Sequence, residues 1–189
     1  MYGNLYIQRR KKNTIVCSFK TAGWRLRDTN EKFQDWWRKQ GEASIFFYGA
    51  SKGNPGIVGA GGVIYSLNGS RKDRFSWGLG QRTNNQEEIL GLLKAYQIAR
   101  ENGNREIQVF RDSEILIKIL NTEDHFSNLS LNKTLQRLQY MLQVFSSSLF
   151  FHILCGSNKE ADSKENFGCL LPQGAYNKND EAPSWIPIP

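Results

Sequence analysis

Apolar residues along this chain fall into short runs separated by stretches rich in turn formers. Ser44 to Tyr48 is one such run, ended by glycine, and reads as a strand. Ser51-Lys52-Gly53-Asn54-Pro55-Gly56 is dense in turn residues. Gly59 to Ser66 follows as a second strand, whose glycines permit close approach of another backbone. Leu67-Asn68-Gly69-Ser70 has the composition of a hairpin turn, and the alternation from Arg74 to Gly80 supplies a third strand. The period then changes. Thr83-Asn84-Asn85 offers helix N-cap residues, and Ile89, Leu92, Leu93, Tyr96, Ile98 and Ala99 recur at helical spacing until Asn102-Gly103 stops the run. Ile107 to Phe110 is a fourth strand, and Asp112-Ser113 caps a short helix through Ile115, Ile119 and Leu120. A polar loop with His125 and Asn128 leads to an amphipathic helix, Leu131 to Phe145, with Leu135, Leu138, Leu142 and Phe145 on one face. Leu149 to Leu154 is a fifth strand, and Glu160 to Phe167 a last short helix. This order predicts an α/β fold with a five-stranded mixed sheet, its first three strands antiparallel, flanked by helices.

The pattern fades at both ends, which divides the chain into a basic N-terminal extension (1–43), a central domain (44–167) and a Pro-rich C-terminal tail (168–189). In the extension, Phe33, Trp36 and Trp37 are expected to pack on the domain or to belong to a short helix. The tail is expected to be extended or disordered, or to lie along the domain surface. No apolar run approaches the roughly 20 residues that span a bilayer, so no membrane role is expected.

Composition narrows the function. A net charge of +7 favours a polyanionic partner, nucleic acid first, although solubility alone would also explain it. Residues 1–27 contain no acid and carry Arg9, Arg10, Lys11, Lys12, Lys20, Arg25 and Arg27. This is the composition of a basic arm on phosphates or of an organelle transit segment, although serine is scarce for the latter. Cys17, Cys155 and Cys169 form no C-x-x-C pair, which argues against zinc and against a disulfide framework. An intracellular, reducing compartment, nucleus or cytoplasm, fits best. With only His125 and His152, a bound metal would have to be held by oxygen.

Four short motifs stand in order along the chain. Phe47-Tyr48-Gly49-Ala50-Ser51-Lys52-Gly53-Asn54-Pro55-Gly56 comes first. Thr83-Asn84-Asn85-Gln86-Glu87-Glu88 opens the long helix, Phe110-Arg111-Asp112-Ser113 ends the fourth strand, and Asn158-Lys159-Glu160-Ala161-Asp162 opens the last helix. Taken singly, Glu88 is an acid at a helix N-terminus, Asp112 an N-cap and Asp162 a solvated helix acid. Taken together and in order, they resemble type 1 ribonuclease H domains of plants and retroelements, over residues 44 to about 167. That family writes the first motif Asp-Gly-Ala-Ser-x-Gly-Asn-Pro-Gly, the second Thr-Asn-Asn-x-Ala-Glu, the third Asp-Ser and the last Asn-x-x-Ala-Asp.

The resemblance implies two-metal hydrolysis of the RNA strand of an RNA/DNA hybrid, with Mg2+ (or Mn2+) on Glu88, Asp112 and Asp162. It equally implies a defect, because the family's first acid, which bridges both metals, is here Tyr48. A phenol of pKa about 10 is neutral at pH 7 and offers one weak oxygen. Metal is therefore expected to bind weakly, and catalysis to be weak or lost. Glu87 points about 100° around the helix from Glu88 and is expected to add charge near the site. Asp73 lies by a remote turn, and His152 reads as structural. Cys155 or Gly156 stands where plant relatives often carry arginine. Binding is expected to outlast catalysis: the resemblance makes Gly53, Asn54, Asn84 and Asn85 candidates for gripping the RNA strand. Lys52, Arg71, Lys72, Arg74 and Arg82 are candidate phosphate contacts. The competing readings are a damaged hybrid endonuclease, a non-catalytic nucleic-acid-binding module or decayed retroelement fragment, and a protein-interaction domain using the tail and Trp36, Trp37 and Trp185. A monomer is expected.

Overall fold

The computed structural model describes residues 20–22, 25–26, 33, 37, 42–53, 56–67, 72–122, 128–157 and 159–188. Asn54, Arg71, His125, Trp36, Cys17 and nearly all of the acid-free N-terminal segment lie outside these residues.

Among the described residues one mixed sheet of nine strands forms the centre. The strands are β1 (Lys20–Ala22), β2 (Arg25–Leu26), β3 (Ala43–Gly53), β4 (Gly56–Tyr65), β5 (Lys72–Arg82), β6 (Glu106–Arg111), β7 (Ser147–His152), β8 (Ala175–Lys178) and β9 (Ser184–Trp185). The helices are α1 (Asn84–Glu101), α2 (Glu114–Thr122), α3 (Leu129–Leu142) and α4 (Lys159–Gly168). Spatial order is β1-β2-β7-β6-β3-β4-β5-β8-β9. The five expected strands are its middle. β3, β4 and β5 run antiparallel, and β6 and β7 pair parallel beside β3. The four short outer strands carry too few residues to show a period. They exist because the edges of β7 and β5 present unpaired backbone groups that a flanking segment can satisfy. Thus β2 joins β7 at Arg25 and His152, and β8 joins β5 from Phe75 to Trp77. The C-terminal tail thereby lies along the domain, as one of its expected forms.

Alternation along each strand sends apolar residues to two faces. One face, with Ile45, Phe47, Val58, Ile107, Val109 and Phe150, packs with α1, α2 and α3 into the main core. The other holds Phe46, Phe110 and Phe151, which stack across β3, β6 and β7 with ring centroids 4.9 and 5.5 Å apart. Phe33, a helical residue of the N-terminal segment, sets its ring edge against Phe46 and Phe110. Trp37, also helical, packs on Phe46 and Tyr65 and donates its indole N–H to Ser44 Oγ at 2.8 Å. Phe33 and Trp37 therefore cover part of this sheet face.

The glycines of β4 let α4 lie directly on the sheet. A Cβ at Gly61 would sit 2.2 Å from the Glu165 backbone nitrogen, and one at Gly59 2.3 Å from that of Cys169. Asp73, buried on β5, accepts from Asn102 Nδ2 (2.7 Å) and Asn179 Nδ2 (2.9 Å), which ties the end of α1 to the turn after β8. It is a structural acid, away from the acids that converge below.

Candidate active site

β3 and β6 run parallel with Phe46 opposite Phe110. Two residues further on, Tyr48 and Asp112 therefore emerge at the same level. In an open α/β sheet, the carboxyl ends of adjacent parallel strands form the customary crevice for ligands. Glu88 reaches it from above. A Cβ at Gly49 would lie 2.6 Å from Glu87 Cγ and 3.1 Å from the Glu88 backbone nitrogen. Only glycine there lets the first turn of α1 descend onto β3. Thr83 starts that turn, with its backbone N–H donating to Gln86 Oε1 at 3.2 Å.

The centre of this crevice is an arginine. Arg111, the last residue of β6, is 3% exposed. Its Nη1 donates to Asp112 Oδ1. Its Nη2 donates to Glu88 Oε1 at 3.0 Å and, more weakly, to the Gly49 carbonyl at 3.4 Å. The guanidinium carbon stands 3.9 Å from the centroid of the Tyr48 ring and 5.6 Å from that of Phe47, close enough for cation–π attraction. Tyr48, half-buried, rests on the aromatic cluster of the α4 face. The fold thus brings Glu88 and Asp112 together, as expected of metal ligands, but around a guanidinium. Arg111 stands inside the third motif, where its sequence neighbours do not show this role. A cation one residue before a candidate ligand was the available signal.

Among the described residues Asp162 is not brought into one metal-holding group with Glu88 and Asp112. Asp162 lies in the first turn of α4, half-buried, and its backbone carbonyl accepts from Asn166 Nδ2 at 2.9 Å. His152, at the end of β7, has Nε2 3.1 Å from the Asp112 carbonyl oxygen, so it braces the strand end rather than facing the carboxylates. Ser113, not Asp112, precedes the first residue of α2, and its carbonyl accepts from the Ile117 N–H.

Glu87 departs from the expectation that it adds charge. It is fully buried against Gly49, and neither carboxylate oxygen has a hydrogen-bond partner among the described residues. Burial first, then the nearby Glu88 and Glu165, pushes its carboxyl up to about 9, against a smaller opposing pull from Arg111. It is neutral at pH 7. On the α4 side, Glu165 accepts from the Cys169 thiol at 3.0 Å, and burial followed by that hydrogen bond pushes the thiol up to about 12.

Three of the candidate phosphate contacts are engaged within the fold. Lys72 Nζ (2.6 Å), Arg74 Nε (3.0 Å) and the Tyr65 hydroxyl (3.0 Å) all converge on Glu160. Arg82 is half-buried and donates to the Leu79 carbonyl. Of the RNA-gripping candidates, Gly53 ends β3 opposite Gly56, and Asn54 lies outside the described residues. Asn84 begins α1, and Asn85 is exposed beside it. Close by, Gln86 Nε2 reaches Ser130 Oγ at 3.5 Å, linking the N-termini of α1 and α3. Asn128 caps α3 through its Oδ1, which accepts from Ser130 and Leu131. Lys133 and Arg137 follow one turn apart on the exposed side of α3. The apolar stripe of that helix was legible in the sequence, but its basic outer face went unremarked.

The resemblance implies Mg2+ at this centre. Magnesium requires near-octahedral oxygen ligation at about 2.0–2.1 Å. Arg111 offers donors only, and these donors take one oxygen each of Glu88 and Asp112. Among the described residues no group of three or more His, Cys, Asp or Glu is arranged to hold a metal ion. The residues as they stand do not fit the group.

Comparison with known proteins agrees with the fold. The model of the family described as reverse transcriptase-like matches residues 46–166. The chain is 29% identical over 126 residues to ribonuclease HI of Halobacterium salinarum, covering 67% of this chain and 63% of that protein. It is 28% identical over 129 residues to an Arabidopsis thaliana protein named for ribonuclease H, covering 68% of this chain and 21% of that one. The match therefore spans less than two thirds of the length of either relative. The crystal structure of the halophilic archaeal RNase H1 superposes with a TM-score of 0.64, covering 68% of this chain and 97% of that one. LC11-RNase H1, solved in complex with an RNA/DNA hybrid, shares the fold at 24% identity and a TM-score of 0.62. A family match across more than half of the chain, on a ribonuclease H-like sheet and helix order, makes this protein a ribonuclease H-type member of the reverse transcriptase-like family.

Proposed function

We propose that this domain binds nucleic acid, RNA/DNA hybrid in the first place, and does not cut it. The observation that carries the reading is Tyr48. Where the family's chemistry needs an ionised carboxylate between the ions, β3 presents a half-buried phenol packed on an aromatic cluster. A neutral phenol is a much weaker ligand for divalent ions than a carboxylate, and without their charge nothing would stabilise the leaving group.

The parts that grip a duplex do not depend on that centre. Asn85 in the first turn of α1 and Lys133 and Arg137 of α3 are exposed. Hydrogen bonds from such groups to 2′-hydroxyls and phosphates select a hybrid by shape and backbone chemistry, largely irrespective of base sequence. Support for the hybrid comes from the motif resemblance, from the ribonuclease H relatives, and from the hybrid bound to a neighbour of the same fold.

The test is fluorescence anisotropy with a labelled RNA/DNA hybrid, in chelator and in magnesium, beside a cleavage gel. Binding is expected in both buffers, falling steeply with salt, with no cleavage. The Lys133→Ala and Arg137→Ala changes should each lower the slope of log K against log salt by about 1. Cleavage of the hybrid by the unmodified protein would overturn the reading.

A further inference from the structure

We propose that Arg111 is a built-in cation. Held on the Tyr48 ring, its guanidinium supplies the positive charge that Glu88 and Asp112 would otherwise draw from divalent ions, so the site neither needs nor accepts them. This rests on the non-cleaving reading above and explains how the fold tolerates it.

The two unusual residues fit one another. A buried guanidinium is stable only when it is paired and hydrogen-bonded. Arg111 meets most of that demand through Asp112 Oδ1, Glu88 Oε1 and the Gly49 carbonyl, while its Nε has no hydrogen-bond partner among the described residues. Its flat face also needs cover, and the Tyr48 ring 3.9 Å away provides a negative π surface without adding another charge. A carboxylate at position 48 would cover nothing. The acids benefit as well, since each has only 12% side-chain exposure and would repel the other if unpaired. Two donors of Arg111 occupy one oxygen of each carboxylate, and its charge repels a second cation at that place. Tyr48 is thus one half of a paired change. Restoring an acid at position 48 alone leaves Arg111 in place with a third carboxylate beside it.

Four proteins test this: the unmodified chain, Tyr48→Asp, Arg111→Ser, and the double change. The primary readout is the shift in Tm between chelator and millimolar magnesium chloride, with hybrid cleavage as the second. The unmodified chain and Tyr48→Asp should show no magnesium shift and no cleavage. The double change should melt lower in chelator and gain several degrees with magnesium, because an ion bound only by the folded state stabilises it. Titration with Mn2+, followed by the electron paramagnetic resonance of the unbound ion, serves if the double change does not fold. Neither the unmodified chain nor Tyr48→Asp should take up the ion. If Tyr48→Asp alone binds Mn2+, or gains the magnesium shift and cleavage, the inference about Arg111 is overturned while the reading of Tyr48 as the lesion stands. If the unmodified chain already shows both, the non-cleaving reading falls with it.

Discussion

Replacing Arg111 with methionine isolates its charge. Methionine fills much of the same volume, so the change is not chiefly a cavity. It leaves Glu88 and Asp112 without the cation that faces both. Removing one member of a buried ion pair costs about 3–5 kcal/mol, because the partner is left uncompensated. Two effects act in opposite directions here. Arg111 serves two acids and an aromatic face, which raises the cost. Each acid retains 12% side-chain exposure, so water reaches it and lowers the cost. About 3 kcal/mol is the resulting expectation. For a chain of this size each kcal/mol moves Tm by roughly 2–4 °C, so Tm should fall by ~6–12 °C. Circular dichroism melts at low salt, paired with urea unfolding at unchanged m, give the number. Arg111→Lys should lose less, since it keeps the charge but not the forked donors. Neutralising the acids with Glu88→Gln and Asp112→Asn should recover most of the loss in the Arg111→Met background, as a coupled set requires. A fall of less than about 2 °C for Arg111→Met would refute the argument, because the guanidinium would then contribute little net stability.

Other outcomes follow from the same geometry. Glu87 holds in the folded state, up to about pH 9, a proton that the unfolded chain sheds near its ordinary 4.5. Its contribution is therefore full below that lower value and is lost as pH rises towards the upper one. Urea unfolding across this range should show Glu87→Gln gaining stability relative to the unmodified chain as pH rises, with little difference at the acid end; parallel curves would refute it. Gly61→Ala drives a methyl to 2.2 Å from the backbone of α4, so the whole helix must shift. Overpacking of this kind costs about 1–3 kcal/mol and should lower the urea midpoint, whereas an unchanged midpoint would mean that α4 moves without cost. Asp73→Ala strands the side-chain amides of Asn102 and Asn179 and should cost about 1–3 kcal/mol, with faster amide exchange at β8 as the local readout.

Much of the fold could be read locally. Short apolar runs and one alternating stretch marked the five central strands, and helical spacing marked α1 and α3, because each pattern reflects a face that must be buried. The motifs put Glu88 at a helix start and Asp112 at a strand end, and the fold brings both to Arg111. Distant pairings were not legible. Arg111 reaches Gly49 across 62 residues of chain, and only the parallel register of β3 and β6 brings it over Tyr48. Lys72 and Arg74 read as surface cations until α4 delivers Glu160 to them, 86 residues beyond Arg74. Glu87 read as a charge, and burial against Gly49 makes it neutral. The outer strands carried no period because pairing with an existing edge, rather than their own pattern, orders them. The sequence by itself determined the architecture and the tyrosine at position 48. Only the tertiary structure decided what stands beside the remaining acids, because electrostatic partnership depends on distance in space and on exclusion of water, neither of which is a property of neighbouring residues.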